Sequence, residues 1–232
     1  MTKPENLNIF DYTLIRSRRH TIAIHIKKGG VEVRAPFNTP LSVIKQFVIS
    51  KESWIVNNLA QSIEQLQMKN EFALTYGDIL TMRGTLYPLT ARAGSTPGFD
   101  GKEFFLPPNL APEEIKFYVT QLYRHIAKNH FTKRTEHFAK TMHVKPNSIK
   151  ISNAKTSWGS CSAKSNINYS WRLIMADDQV IDYVVVHELA HLIELNHSPY
   201  FWEIVRCLLP DYRERQKQLQ ELQQKLTTED WD

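Results

Sequence analysis

Residues 184–202, VVVHELAHLIELNHSPYFW, hold three of the chain's nine histidines within eleven positions. His187, Glu188 and His191 form an H-E-x-x-H sequence inside an apolar stretch that reads as a helix. At about 100° and 1.5 Å per residue, positions i and i+4 lie one above the other. Two imidazoles so placed converge on one point, as a zinc ion about 2.0–2.1 Å from each nitrogen requires. Glu188 points beside that face, where its carboxylate reaches a metal-activated water and serves as general base. A catalytic zinc needs a third protein ligand. Glu194 shares the face but stands a full turn beyond His191, too far from the ion on a straight helix. His197 is the better candidate. Asn196 tolerates the left-handed conformation that ends helices, and Ser198-Pro199 reads as the cap and first turn of a new one. A chain that reverses at Asn196 swings His197 back to the ion. Three histidines leave the fourth position to water, the arrangement of a catalytic site.

The rest of the chain is compatible with a folded enzyme. It has 232 residues, 42% hydrophobic and 23% charged, enough for one domain or two small ones. Its two cysteines, Cys161 and Cys207, are too few for a disulfide framework. The opening MTKPENLNIFDYTLIRSRRH lacks the apolar core of a signal peptide, and no apolar run approaches the roughly 20 residues that span a bilayer. A reducing cytoplasm is expected. Charge is uneven. Residues 113–172 carry 11 Lys/Arg against 3 Asp/Glu, net +8, while residues 173–232 carry 5 against 12, net −7. The basic segment either steers a nucleotide, nucleic acid or other anion, or is a Lys-rich surface balanced by the acidic end.

Working outward, 21–36 reads as a hairpin turning at Gly29-Gly30, and Thr39-Pro40 opens a helix that runs to Leu66 with a break near Ser50. Residues 78–82 and 86–91 form a second hairpin, and a strand at 103–106 ends at Pro107-Pro108, the expected boundary between units 1–108 and 109–232. A long helix follows Pro112, with Ile115, Tyr118, Leu122, Ile126, Phe131, Phe138 and Met142 as its apolar face. Residues 148–157 and 166–174 read as strands joined by the loop WGSCSAKS, and the metal helix begins near Asp177-Asp178. The fold class is α+β: a β-rich N-terminal part, then a half that packs helices on a small sheet.

The stretches KTSWGSCSAKSNINYSWRL (155–173) and VIDYVVVHELAHLIELNHSPYFW (180–202) resemble the YgjP-like zinc metallopeptidases. RSRRHTIAIHIKKGGVEVRAPF and LYRHIAKNHFTKR extend the likeness. The resemblance implies a zincin-like fold, Zn2+ on His187, His191 and His197, Glu188 as base, and a peptide or protein substrate. Metzincins share the spacing but carry Gly where Glu194 stands, and their methionine turn is not found here. Trp158-Gly159-x-Cys161 is similar to segments of Spartan-type and WLM-type proteases. Trp158, Gly159, Cys161, Arg172 and Tyr200 are candidate substrate contacts, set against core packing for Trp158, a buried thiol for Cys161 and an ion pair for Arg172. The edge of strand 166–173 is expected to hold an extended peptide. Two other classes stay open. One is a metal-dependent nucleotide phosphohydrolase or pyrophosphatase served by the +8 segment. The other is a nucleic-acid-associated protein with a structural metal.

Overall fold

A computed structural model describes residues 11–231, so the start of the stretch read as lacking a signal peptide lies outside the described residues. The described chain is α+β, with six α-helices and three small mixed sheets. It divides into two compact units, one formed by the residues up to Phe72 with Thr227–Asp230, the other by Ala73–Leu226 with the chain end.

In the first unit, β1 (Tyr12–Ser17) runs parallel to β3 (Gly30–Pro36), and β2 (Ala23–Lys27) pairs antiparallel on β3's other side. The hairpin turns at Lys28-Gly29, both at positive φ, 50° and 71°, one residue earlier than expected. That is the backbone whose twist matches the flanking strands, and Gly30 already pairs with Lys27. Helices α1 (Leu41–Ser50) and α2 (Glu52–Glu71) meet at Lys51, where the expected break falls. Ile44, Val48 and Ile55 close the core over Val31, Val33 and Ala35.

The expected boundary at Pro107-Pro108 lies inside the second unit. Strands β4 (Ile79–Met82), β5 (Thr85–Ala91), β6 (Gly98–Phe99) and β7 (Phe104–Leu106) form a sheet in the order β4-β5-β7-β6. Hydrogen bonds tie this sheet to the C-terminal side of the Pro-Pro pair. Tyr123 donates its hydroxyl to the Thr81 carbonyl (2.8 Å) and the Arg83 amide donates to the Ile174 carbonyl (2.7 Å). Phe104 packs edge-on against Tyr123.

Tyr123 belongs to α3 (Pro112–Thr141), whose buried stripe is Ile115, Val119, Tyr123, Ala127, Phe131, Thr135 and Ala139. These residues recur every fourth position. Of the expected apolar face, Ile115, Phe131 and Phe138 are buried, while Tyr118, Leu122, Ile126 and Met142 are only half-buried. The second sheet has the order β8-β10-β9, from β8 (Ser148–Ser152), β9 (Gly159–Cys161) and β10 (Asn166–Ser170). The expected strand 166–174 ends at Ser170, and Trp171–Met175 form a 3-10 turn with all five side chains buried. The alternation holds through Tyr169 in β10 and misleads only from Trp171 onward, where every side chain is buried.

Helix α4 (Asp178–Ala190) carries the histidine motif. The Asp177 carboxylate caps it by accepting from the Gln179 amide at 2.9 Å. Val184-Val185-Val186 are poor helix formers, but they and nearly every other apolar residue of α4 are buried. A helix apolar all round is stable inside a core, and about 1.5–3 kcal/mol for each buried side chain outweighs the propensity loss. Arg134 on α3 grips Asp182 on α4 with two hydrogen bonds of 2.6 and 2.7 Å. Helices α5 (Pro199–Leu208) and α6 (Tyr212–Lys225) complete the unit.

Candidate active site

Helix α4 presents His187 and Glu188 in its last turn and ends at Ala190, with His191 as its C-cap. The chain leaves through tight turns in which the Ile193 and Glu194 amides both donate to the Ala190 carbonyl. The reversal therefore begins at His191, not at Asn196, which is not among the positive-φ residues. Ser198 then caps α5, accepting from the Phe201 amide, and its fixed position returns His197 to α4.

The three histidines form a cluster whose ligand nitrogens lie within 4.8 Å of one another. His187 Nε2 and His197 Nε2 are 3.1 Å apart. Two nitrogens at 2.0–2.1 Å on a tetrahedral ion are separated by about 3.3–3.4 Å, so this spacing fits a shared cation. His191 Nδ1 donates to the Glu194 carbonyl at 3.2 Å, which fixes the tautomer and leaves Nε2 as the free lone pair. Glu194 thus contributes through its backbone and not as a ligand. His187 Nδ1 is buried without a partner among the described residues; packing holds this ring.

That packing comes from Phe201, buried with its ring 4.6–4.9 Å from all three imidazoles. Trp202 stacks on His197 at 5.6 Å and on Tyr212 at 5.4 Å. Burial, followed by the neighbouring imidazoles, pushes His187 down to about 3. Burial also lowers His191. Both rings are neutral at pH 7, the form a metal binds. The donor set, its spacing and the neutral rings of His187 and His191 all fit a metal ion.

Glu188 is 5% exposed, and burial pushes its carboxyl up to about 8. A cation at the histidines would pull it down again. The carboxylate lies against Gly159 of β9: a Cβ built there would stand 2.5 Å from Glu188 Oε1 and 2.7 Å from its Cδ and Cγ. Gly159 is a gap that the Glu188 side chain fills.

The other candidates divide. Cys161, two residues along β9, is a half-buried free thiol whose pKa is raised by burial and then by the Glu188 charge. It stands outside the histidine cluster. Trp158 is half-buried, and its carbonyl accepts from the Ser170 amide at 2.9 Å. Tyr200, in the first turn of α5, is 59% exposed. Arg172 is not on a polar strand face. It is buried in the 3-10 turn, bonded to Asn153 and stacked over Trp171 at 4.6 Å. Sequence reasoning missed the Glu194 carbonyl and the fit of Gly159 to Glu188, since neither leaves a local signal.

The family model described as YgjP-like, metallopeptidase domain matches residues 20–222. The chain belongs to the YgjP-like metallopeptidase family. It is a metallopeptidase, a hydrolase of peptide bonds, and this family implies a metal ion. No curated protein matches the chain. Two crystal structures of metallopeptidase zymogens resemble part of this YgjP-like chain. Abylysin of Pyrococcus abyssi is 23% identical with a TM-score of 0.37, covering 43% of this chain and 98% of its own. Jannalysin of Methanocaldococcus jannaschii is 20% identical with a TM-score of 0.36, covering 41% and 96%. Among the described residues, no helix is long and apolar enough to cross a membrane.

Proposed function

We propose that His187, His191 and His197 hold a zinc ion and that Glu188 is the general base of peptide-bond hydrolysis. The observation that carries this reading is the convergence of three imidazoles beside a buried carboxylate. Zinc so held supplies Lewis acidity, polarising the scissile carbonyl and making water a nucleophile near neutral pH. Glu188 takes the proton of the attacking water and passes it to the leaving amine. The Glu194 carbonyl keeps His191 in the ligating tautomer, and Phe201 covers the histidines with apolar surface. The substrate lies extended along β9, which is the sheet's edge next to α4; β10 is central and has no free edge. Trp158, Cys161 and Tyr200 are close in sequence to these elements and are the side chains we assign to substrate contact, while Arg172 holds the turn behind them. Both cysteines are free thiols, which supports a reducing cytoplasm. The family match lends no support to a nucleotide or nucleic-acid partner.

The test compares wild type with Glu188→Gln, both zinc-loaded with metal content measured, on a mixture of unfolded protein and nucleoside triphosphates. New amino termini should come from wild type and fall by about 10²–10⁴-fold in the variant. Phosphate release by wild type without new amino termini would replace this reading with phosphohydrolysis.

A further inference from the structure

The sheet that borders the site at β9 has a second free edge at β8, since among the described residues β8 pairs only with β10. Two strand spacings, about 10 Å, separate the two edges. Along β8 runs an open groove of about 560 Å³, walled on its other side by α3. Arg124, His125 and Lys128 line it from the helix, and Ile149, Lys150 and Ile151 from the strand. No carboxylate lines it. Arg124 and Lys128 are one helical turn apart and so share a face. Lys128 donates to the Ile149 carbonyl, which draws its charge to the strand's edge. Neither Arg124 nor Lys150 is in an ion pair among the described residues. The groove lies within the segment of net charge +8, and two of its lining residues are half-buried isoleucines.

We propose that this groove docks an acidic, partly apolar stretch of polypeptide and so gives the enzyme a second hold on protein substrates, away from the histidines. The ligand chemistry is set by the walls. Arg124 and Lys150 select carboxylates, Ile149 and Ile151 accept alternate apolar side chains, and an open strand edge suits an extended backbone. Single-stranded nucleic acid fits less well, because no Phe, Tyr or Trp lines the groove to stack bases. Docking rests on the peptidase reading for its purpose but not for its physics.

The experiment measures fluorescence anisotropy with the full chain and no added metal, so the outcome is independent of whether the histidines hold zinc. The probes are a labelled peptide alternating glutamate and leucine, its glutamine counterpart, and a thymidine oligonucleotide of matching length. The acidic peptide should bind at least about tenfold more tightly than the glutamine peptide, and weaken as salt rises. Arg124→Glu with Lys150→Glu should remove that preference, while Lys133→Glu, elsewhere on α3, should leave it within about twofold. Circular dichroism and melting check the fold, and Arg124→Gln with Lys150→Gln serves if the reversal unfolds the chain. Equal binding of the two peptides, or unchanged binding in both double variants, overturns the proposal. Tighter binding of the oligonucleotide, lost in the same variants, overturns it in favour of nucleic acid.

Discussion

Replacing Gly159 with alanine tests whether β9 sets the position of Glu188. The new Cβ would stand 2.5 Å from Glu188 Oε1 and 2.7 Å from Cγ, whereas non-bonded heavy atoms settle at about 3.5 Å. Something must move by about 1 Å. Gly159 does not have positive φ, so the backbone accepts alanine, and the Glu188 side chain is the softer partner. A displacement of about 1 Å at a reacting group costs on the order of 10²-fold in rate, or about 2.7 kcal/mol of barrier. The cost in stability should be smaller, about 1 kcal/mol, because overpacking is offset by the entropy gained on leaving glycine. The assay is steady-state cleavage of an unfolded protein, with bound metal and melting temperature measured on the same samples. kcat should fall about 10²-fold with metal content unchanged and KM little altered. In a Glu188→Gln background, Gly159→Ala should cause little further loss, since both changes act on one carboxylate. Activity retained within about threefold, or an additive fall in the double variant, would refute the link between the strand and the base.

Metal removal has its own signature. A chelator should lower the melting temperature of zinc-loaded wild type, since a ligand at about 1,000 times its Kd adds about 4 kcal/mol. His197→Ala should bind zinc more weakly and lose most of that shift, yet its metal-free form should melt close to metal-free wild type, because His197 is exposed. Acid should weaken the Arg83–Asp178 contact between the β4–β5 turn and the start of α4. The guanidinium bond to Arg83 holds the Asp178 carboxyl below its ordinary value, against the opposing effect of burial. A depressed carboxyl stabilises the fold above its unfolded pKa, about 3.9, and that contribution is lost as pH falls through the folded value. Unfolding free energies of wild type and Asp178→Asn from urea titration should thus differ at pH 7, by no more than about 1 kcal/mol for so exposed a pair, and converge below about pH 4.

Local relations were legible in the sequence. His187 and His191 share a face because helix geometry sets the i, i+4 relation, and Ser198-Pro199 announces the new helix that returns His197. Asp177 before an apolar run marks the cap, and the break between α1 and α2 fell at Lys51, beside the expected Ser50. Errors arose where both faces of a segment are covered. The 3-10 turn Trp171–Met175 mimicked a strand because burial on every side erases the difference between periods. Pro107-Pro108 suggested a boundary by its local stiffness, but β4–β7 are bonded to α3 and to the turn after β10, and no dipeptide reports that.

The sequence alone determined the three candidate histidines, their order and their spacing, because those relations lie within eleven residues of one chain segment. Tertiary structure decided which surfaces complete the site. Gly159 meets Glu188 only because β9 packs on α4. The Glu194 carbonyl reaches His191 only because the helix ends at Ala190. Arg124 meets Lys150 across one groove only because β8 lies along α3. Contacts between distant segments depend on how buried faces find one another across the fold, and a face shows in the sequence as composition, without the address of its partner.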